Sequence, residues 1–268
     1  MLNTLFKLVI FIISLLALLA PFTFLPPLSN EGLDKKDKTV AEKPLHSVKL
    51  PQFSKIKDVK LKKTKFFNFL KPAIIQANQN LLSVRKKIQV IEEKLGLDET
   101  LSDDDIQFLT QKIKKYRIKG DLTYFQQVEK LLKRIDIVPT ELVLVQAANE
   151  SAWGTSRFAR IGLNFFGLWC YQKGCGMVPN ARDQDGKHEV AAFQSIDVAV
   201  EKYLYNINSH YAYVVFRTIR QQLRAQGQPL KPEILATGLL PYSERGADYV
   251  SDILDMLRHN ARYIKVDK

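Results

Sequence analysis

The sequence predicts a mainly α protein with one small β-hairpin lobe, preceded by an N-terminal membrane anchor, and three observations carry that reading. Apolar residues recur at helical spacing along most of the chain from Pro72 onward. One stretch, Lys173–Val190, breaks the period and holds an Asp185-Gly186 turn signal between Met177-Val178 and Val190-Ala191-Ala192-Phe193. Near the start, Leu8–Ala20 is apolar except for Ser14. With 268 residues the chain has ample length for a substantial core.

Lys7 precedes the N-terminal apolar run and Pro21-Phe22-Thr23-Phe24-Leu25 comes directly after it. From Leu5 to Leu25 the length suits a bilayer span, whereas the strictly apolar part has the length of a signal-peptide h-region. Pro21, Pro26 and Pro27 crowd the place where a small-x-small cleavage site would sit. Residues 1–28 are therefore read as an uncleaved anchor, with a cleaved signal peptide as the alternative. Either exports the rest of the chain.

The formal charge is +12 and the pI near 9.5, which implies attraction to something anionic without choosing between nucleic acid, lipid headgroups and an acidic wall polymer. More than half of that charge lies in Ser29–Lys71, which has twelve lysines and five acidic residues. With no sustained apolar period, residues 29–71 read as a solvated basic linker. A nucleic-acid role is not expected: there is no zinc-finger spacing, strong arginine cluster or aromatic sheet motif.

The order changes at Pro72. Ile74, Ala77, Leu81, Val84, Ile88, Ile91 and Leu95 form a helical stripe, with Pro72 in the first turn and Gly96 as the stop. Ser102 with Asp105 opens a second helix, and Asp121 is the expected cap of a third through Phe125, Val128, Leu131 and Leu132. These make residues 72–134 a helical extension, and residues 135–268 the domain that carries the chemistry. There Thr140 caps a helix over 141–151, a short helix occupies 155–161 with Gly162 ending it, and Ser195 caps 196–210. Helical segments over 213–225, 232–237 and 249–262 complete the chain.

Glu150 stands at the end of a nearly apolar helix, just before a Gly- and aromatic-rich segment. Desolvation disfavours an ionised carboxylate, so this position suits a general acid. Glycosidic hydrolysis needs such an acid near the leaving oxygen and commonly a second carboxylate. Asp183, Asp185 and Glu189 of the hairpin are the candidates for the second. Arg157 is a possible salt-bridge partner of Glu150 that would oppose an acid role. Cys170 and Cys175 can close a small disulfide loop in an exported protein, or stay as thiols. Zinc fits less well, because His188 is thirteen residues beyond Cys175 and no further cysteine completes the ligand set.

The segment Glu150-Ser151-Ala152-Trp153-Gly154-Thr155-Ser156-Arg157-Phe158-Ala159, with Asn164-Phe165-Phe166-Gly167, resembles the signature of bacterial N-acetylglucosaminidases that cut peptidoglycan, the family of flagellar and autolysin glucosaminidases (glycoside hydrolase family 73). The resemblance covers about residues 135–264 and extends to Trp169-Cys170, His188-Glu189-Val190-Ala191 and Tyr242-Ser243-Glu244-Arg245-Gly246. It implies a lysozyme-like helical domain acting on β-1,4 bonds of peptidoglycan glycan strands, at the periplasmic face of an inner membrane or free in the periplasm. It implies Glu150 as the catalytic acid. Glu189 is preferred to Asp183 as its partner, and the substrate acetamido group is a third possibility. Tyr242 and Tyr249 resemble cleft tyrosines, although Tyr242 sits one residue further from Tyr249 than in autolysins. Asn164, Phe166 and Trp169 join Tyr249 as candidate substrate-binding residues. No cofactor or metal is expected. The alternative function is a non-hydrolytic peptidoglycan-binding or scaffold protein.

Overall fold

The computed structural model describes residues 43–179 and 188–264. The candidate anchor, Asp183 and Asp185 lie outside the described residues. Among those described, no helix is long and apolar enough to cross a membrane.

The architecture is mainly helical with one small antiparallel sheet. Helix α1 (Val59–Gly96) is followed by α2 (Asp103–Lys115), α3 (Tyr124–Arg134), α4 (Thr140–Glu150) and α5 (Arg157–Gly162). Strands β1 (Trp169–Cys170), β2 (Gly176–Met177) and β3 (Glu189–Ala191) come next, with β3 in the middle. The remainder is α6 (Ile196–Ser209), α7 (Val214–Ala225), α8 (Pro232–Ala236) and α9 (Ala247–Ile264), with 3-10 turns before α7 and after α8.

The segment expected to be a linker is partly built into the fold. Asp58 caps α1 by accepting from the Leu61 N–H at 3.0 Å, so the helix begins in the lysine-rich stretch. Phe66, Phe67 and Leu70 are fully buried there, and Phe53 packs edge-on to Phe66. Upstream, the Leu45 N–H donates to the Ile161 carbonyl at 2.8 Å. The lysines hide this helix from a charge count, because they occupy its solvent side while the aromatics face inward. Pro72 thus sits inside α1 and not at its start. A proline deprives the carbonyl four residues earlier of its partner, but Asn68 and Pro72 are both exposed and water can replace the bond.

Helix α1 runs through two apolar cores. Its first half packs with α4, α6 and α9 around Phe66, Leu70, Ile74, Leu144, Tyr203 and Ile253. Its second half joins α2 and α3 around Ile88, Ile91, Leu109, Val128 and Leu131. Of residues 72–134, expected as a helical extension, Ala73, Ile74 and Ala77 enter the core with α4, α6 and α9, while α2 and α3 build the second core.

A buried polar junction lies where the cores meet. Asp136, 1 % exposed, receives Arg224 through two hydrogen bonds of 3.0 and 2.9 Å, and Arg85 stands 3.6 Å away. Arg220, equally buried, donates to the carbonyls of Lys133, Arg134, Asp136 and Ile137, closing the open C-terminal end of α3. Burial pushes the Asp136 carboxyl up, but the hydrogen bond from Arg224 and the surrounding guanidinium charges bring it net below the ordinary range.

Local signals account for the other differences from expectation. Thr123, not Asp121, caps α3, because its hydroxyl and the Gln126 side chain form a reciprocal capping box. Pro139 occupies the position before α4, and Thr140 is its first residue. Leu163, not Gly162, takes the left-handed conformation that ends α5. Gly162 has a different duty: a Cβ there would lie 2.4 Å from the Met177 methyl, so its missing side chain lets α5 approach the sheet. The expected hairpin gains a third strand, with Val190 paired to both Trp169 and Met177.

Candidate active site

Glu150 is the last residue of α4, where the helix presents unpaired carbonyls and the negative end of its dipole. Both features oppose a negative charge. The carboxyl is also half-buried, and desolvation raises its pKa despite hydrogen bonds from Tyr249 and Asn149 that favour the ionised form. The bond from the Asn149 amide is 3.3 Å.

The chain leaves Glu150 by an unusual turn. Ala152, Trp153 and Gly154 all have positive φ, at 48, 59 and 76°. For residues with a Cβ this costs on the order of 1 kcal/mol each and needs compensation. Ser151 supplies part of it: its hydroxyl donates to the Ala147 carbonyl and accepts the Gly154 N–H at 2.8 Å. Trp153 supplies the rest by packing edge-on against Phe66 and Phe67, with the Lys63 ammonium 5.2 Å from its ring centre. The Glu-Ser-Ala-Trp-Gly run is thus a strained turn pinned to α1, directly after the carboxylate. Trp153 belongs to the core.

The chain passes Glu150 again at Gly167, whose φ of 65° favours glycine. A Cβ at this position would stand 3.6 Å from Glu150 Oε2. The loop that carries Gly167 is held by Asn164, which is 2 % exposed. Its amide donates to the carbonyls of Leu168 and Ala191 at 2.8 and 2.9 Å, and its oxygen accepts the N–H groups of Phe166 and Leu168. These bonds fill the side chain's capacity. Asn164 is therefore a staple between loop and sheet, with nothing left to offer an acetamido group. Phe166 is likewise buried, stacked on Tyr203 at 4.3 Å.

Phenols surround the carboxylate. The charge of Glu150 acts on Tyr203, Tyr213, Tyr242 and Tyr249, raising the pKa of each after burial has done so first. Tyr213 is pushed up to about 12. Tyr242 stacks on Tyr249 at 5.4 Å, and its hydroxyl donates to the Phe166 carbonyl at 2.8 Å. Its proton is therefore committed to the 164–168 loop. Gln146, fully buried, receives the Tyr203 hydroxyl and donates to the Tyr249 oxygen at 2.9 Å. That order leaves the Tyr249 proton pointing to Glu150. Gln146, Tyr203 and Tyr213 do not stand out as site residues in the sequence; a lone glutamine on an otherwise apolar helix face is the available signal.

Glu189, the preferred second carboxylate in the sequence, lies in the β lobe as its place in the hairpin suggests. It sits on β3, 6 % exposed, and its two oxygens accept the N–H groups of Gly174 and Gly176 at 2.9 and 2.8 Å. Cys170 lies beside it across the strands and is bonded to Cys175, so carboxylate and disulfide shape the same turn. The sulfurs and a Glu189 oxygen come close together, but a disulfide has no thiolate to bind a metal. No neighbouring carboxylate, and not Arg157, acts on Glu150 among the described residues. Arg157 donates to the Val178 carbonyl and covers Phe158. Trp169 is 57 % exposed, with His188 stacked on its ring at 4.1 Å.

This placement makes a stability test of Glu189. Glu189→Ala orphans two turn N–H groups, which is expected to cost about 1–3 kcal/mol. Urea unfolding should show that loss. Activity abolished at an unchanged unfolding midpoint would instead make Glu189 a participant in the chemistry.

The family model described as mannosyl-glycoprotein endo-beta-N-acetylglucosaminidase matches residues 125–262. Protein bax of Escherichia coli (strain K12) is 38 % identical over 135 residues, which are 50 % of this chain and 47 % of that protein. The matched part is thus about half the length of that curated relative. No solved structure matches the chain.

Proposed function

The chain belongs to the glucosaminidase family, and from that premise we propose that it cleaves β-1,4 bonds in peptidoglycan glycan strands, with Glu150 as the general acid. The observation that carries this reading is the setting of Glu150: a desolvated carboxyl at a helix C-terminus, hydrogen-bonded by Tyr249 and faced by a residue without a side chain. Such a group keeps its proton to higher pH than an ordinary carboxyl, as a general acid requires.

In this mechanism Glu150 gives its proton to the glycosidic oxygen as the C1–O bond breaks. The positive charge that develops at C1 is captured by the carbonyl oxygen of the sugar's own acetamido group. Water, deprotonated by the Glu150 carboxylate, then attacks C1 and breaks its bond to the acetamido oxygen, which restores the acetamido group. The commitment of both Glu189 oxygens to the turn supports the substrate group over Glu189 as the second participant. Exposed Trp169 is the proposed sugar platform, and Tyr249 the group that orients Glu150. Asn164, Phe166 and Tyr242 serve by holding the loop that bears Gly167. We place the reaction at the cell envelope, in keeping with a polymer substrate that lies there.

Digesting peptidoglycan, reducing the new ends and analysing the fragments by mass spectrometry tests the activity. N-acetylglucosamine is expected at the new ends; sacculi that bind the protein without yielding any would leave the scaffold reading standing. Proton NMR of the first product tests the second participant. Acetamido participation requires the β anomer, and an α product would eliminate it.

A further inference from the structure

Away from Glu150, the residues after α2, the end of α3 and the start of α7 enclose a surface cavity of about 370 Å³. Arg117, Lys119, Lys130, Lys133, Arg134 and Arg217 line it, and no acidic side chain does. The two inner guanidiniums are held by main-chain carbonyls: Arg217 donates to those of Ile207 and His210, both at 2.8 Å, and Arg134 to that of Tyr116 and, at 3.4 Å, that of Arg117. Those bonds orient the charges without neutralising them. Among the described residues none of the six forms an ion pair. Burial first, and then the charge of Arg134, lower the Arg217 pKa to about 10. A set of like charges is thus held together with no internal counter-charge.

The rim is apolar. Tyr211, Val214 and Val215 are 81, 50 and 51 % exposed, and Val214 itself lines the cavity. Their spacing puts them on one side of the turn into α7. A soluble polyanion would use the charges and leave these side chains in water. A bilayer bearing anionic phospholipid uses both, since its phosphates meet the cations while tyrosine and valine enter the boundary between headgroups and acyl chains.

We propose that this face is a docking surface for an anionic phospholipid bilayer, with phosphate headgroups in the basic cavity and Tyr211, Val214 and Val215 at the headgroup–acyl boundary. It is a contact of the folded part of the chain, separate from any N-terminal anchor, and it does not depend on the glycosidase reading.

The test uses the full chain carrying Tyr211→Trp, mixed with vesicles whose acyl chains are brominated. Phosphatidylcholine alone is compared with phosphatidylcholine plus phosphatidylglycerol, and the parent chain gives the background from Trp153 and Trp169. Quenching of the introduced indole is expected only with phosphatidylglycerol. High salt should diminish it, and the added changes Lys119→Glu, Lys130→Glu and Lys133→Glu should weaken it about tenfold or more. Salt acts on the unaltered fold, so the two results separate lost docking from lost folding. Equal quenching with both lipids would overturn the charge basis. An unquenched indole would overturn the membrane, including the case in which the chain binds soluble polyphosphate and loses it on charge reversal.

Discussion

Glu150→Gln is expected to lower glycan cleavage by about 10²–10⁴-fold, the usual contribution of a positioned general acid. The amide keeps the volume and part of the hydrogen bonding with Tyr249 and Asn149 but has no acidic proton. Folding should persist. Because the folded-state pKa of Glu150 is raised, its ionisation weakens the native state as pH climbs from the unfolded carboxyl range through the folded pKa. Replacing it with a neutral group removes that penalty, so the variant's Tm at neutral pH should equal or exceed the parent's. Lost activity with a lowered Tm would point to structural damage and away from the acid role.

The same setting gives a pH signature. Cleavage by the parent should fall on the alkaline side as Glu150 loses its proton. Tyr249→Phe removes a donor that favours the carboxylate, so the remaining activity should show its alkaline limb at higher pH. An unshifted limb would separate Tyr249 from the titration of Glu150.

Asp136→Asn is expected to have the largest effect on stability, about 3–5 kcal/mol, because it leaves Arg85, Arg220 and Arg224 clustered without their counter-charge. Urea unfolding measures the loss, and a change below about 1 kcal/mol would show that the carbonyl bonds of Arg220 suffice. The pH dependence is set by the depressed pKa. The contribution of Asp136 is present above the unfolded carboxyl pKa and is lost as pH falls through the folded one. The parent should therefore lose more stability on acidification than the variant does. Asp136 lies just before α4, so this junction also sets the entry of the helix that ends in Glu150.

The candidate acid is legible in the sequence because its signals are local. The end of an apolar helix, a Gly-aromatic break and a family signature single out Glu150 as the candidate acid from neighbouring residues alone. The phenol ring around it was only partly legible. Tyr242 and Tyr249 stand out in a motif, whereas no local pattern singles out Tyr203, Tyr213 or Gln146. Their meaning depends on α4, α6 and α9 meeting, which no local pattern states.

The sequence by itself determined the mainly α class, the small β lobe and the family, since helical period, turn residues and motif spacing are properties of short stretches. Tertiary structure alone decided the fate of the side chains that look functional in isolation. It turned Asn164 and Glu189 inward, where buried N–H and C=O groups need partners and consume theirs. It also recruited the lysine-rich start of α1 into the core, because Phe66, Phe67 and Leu70 gain an apolar surface only once α4 lies against them.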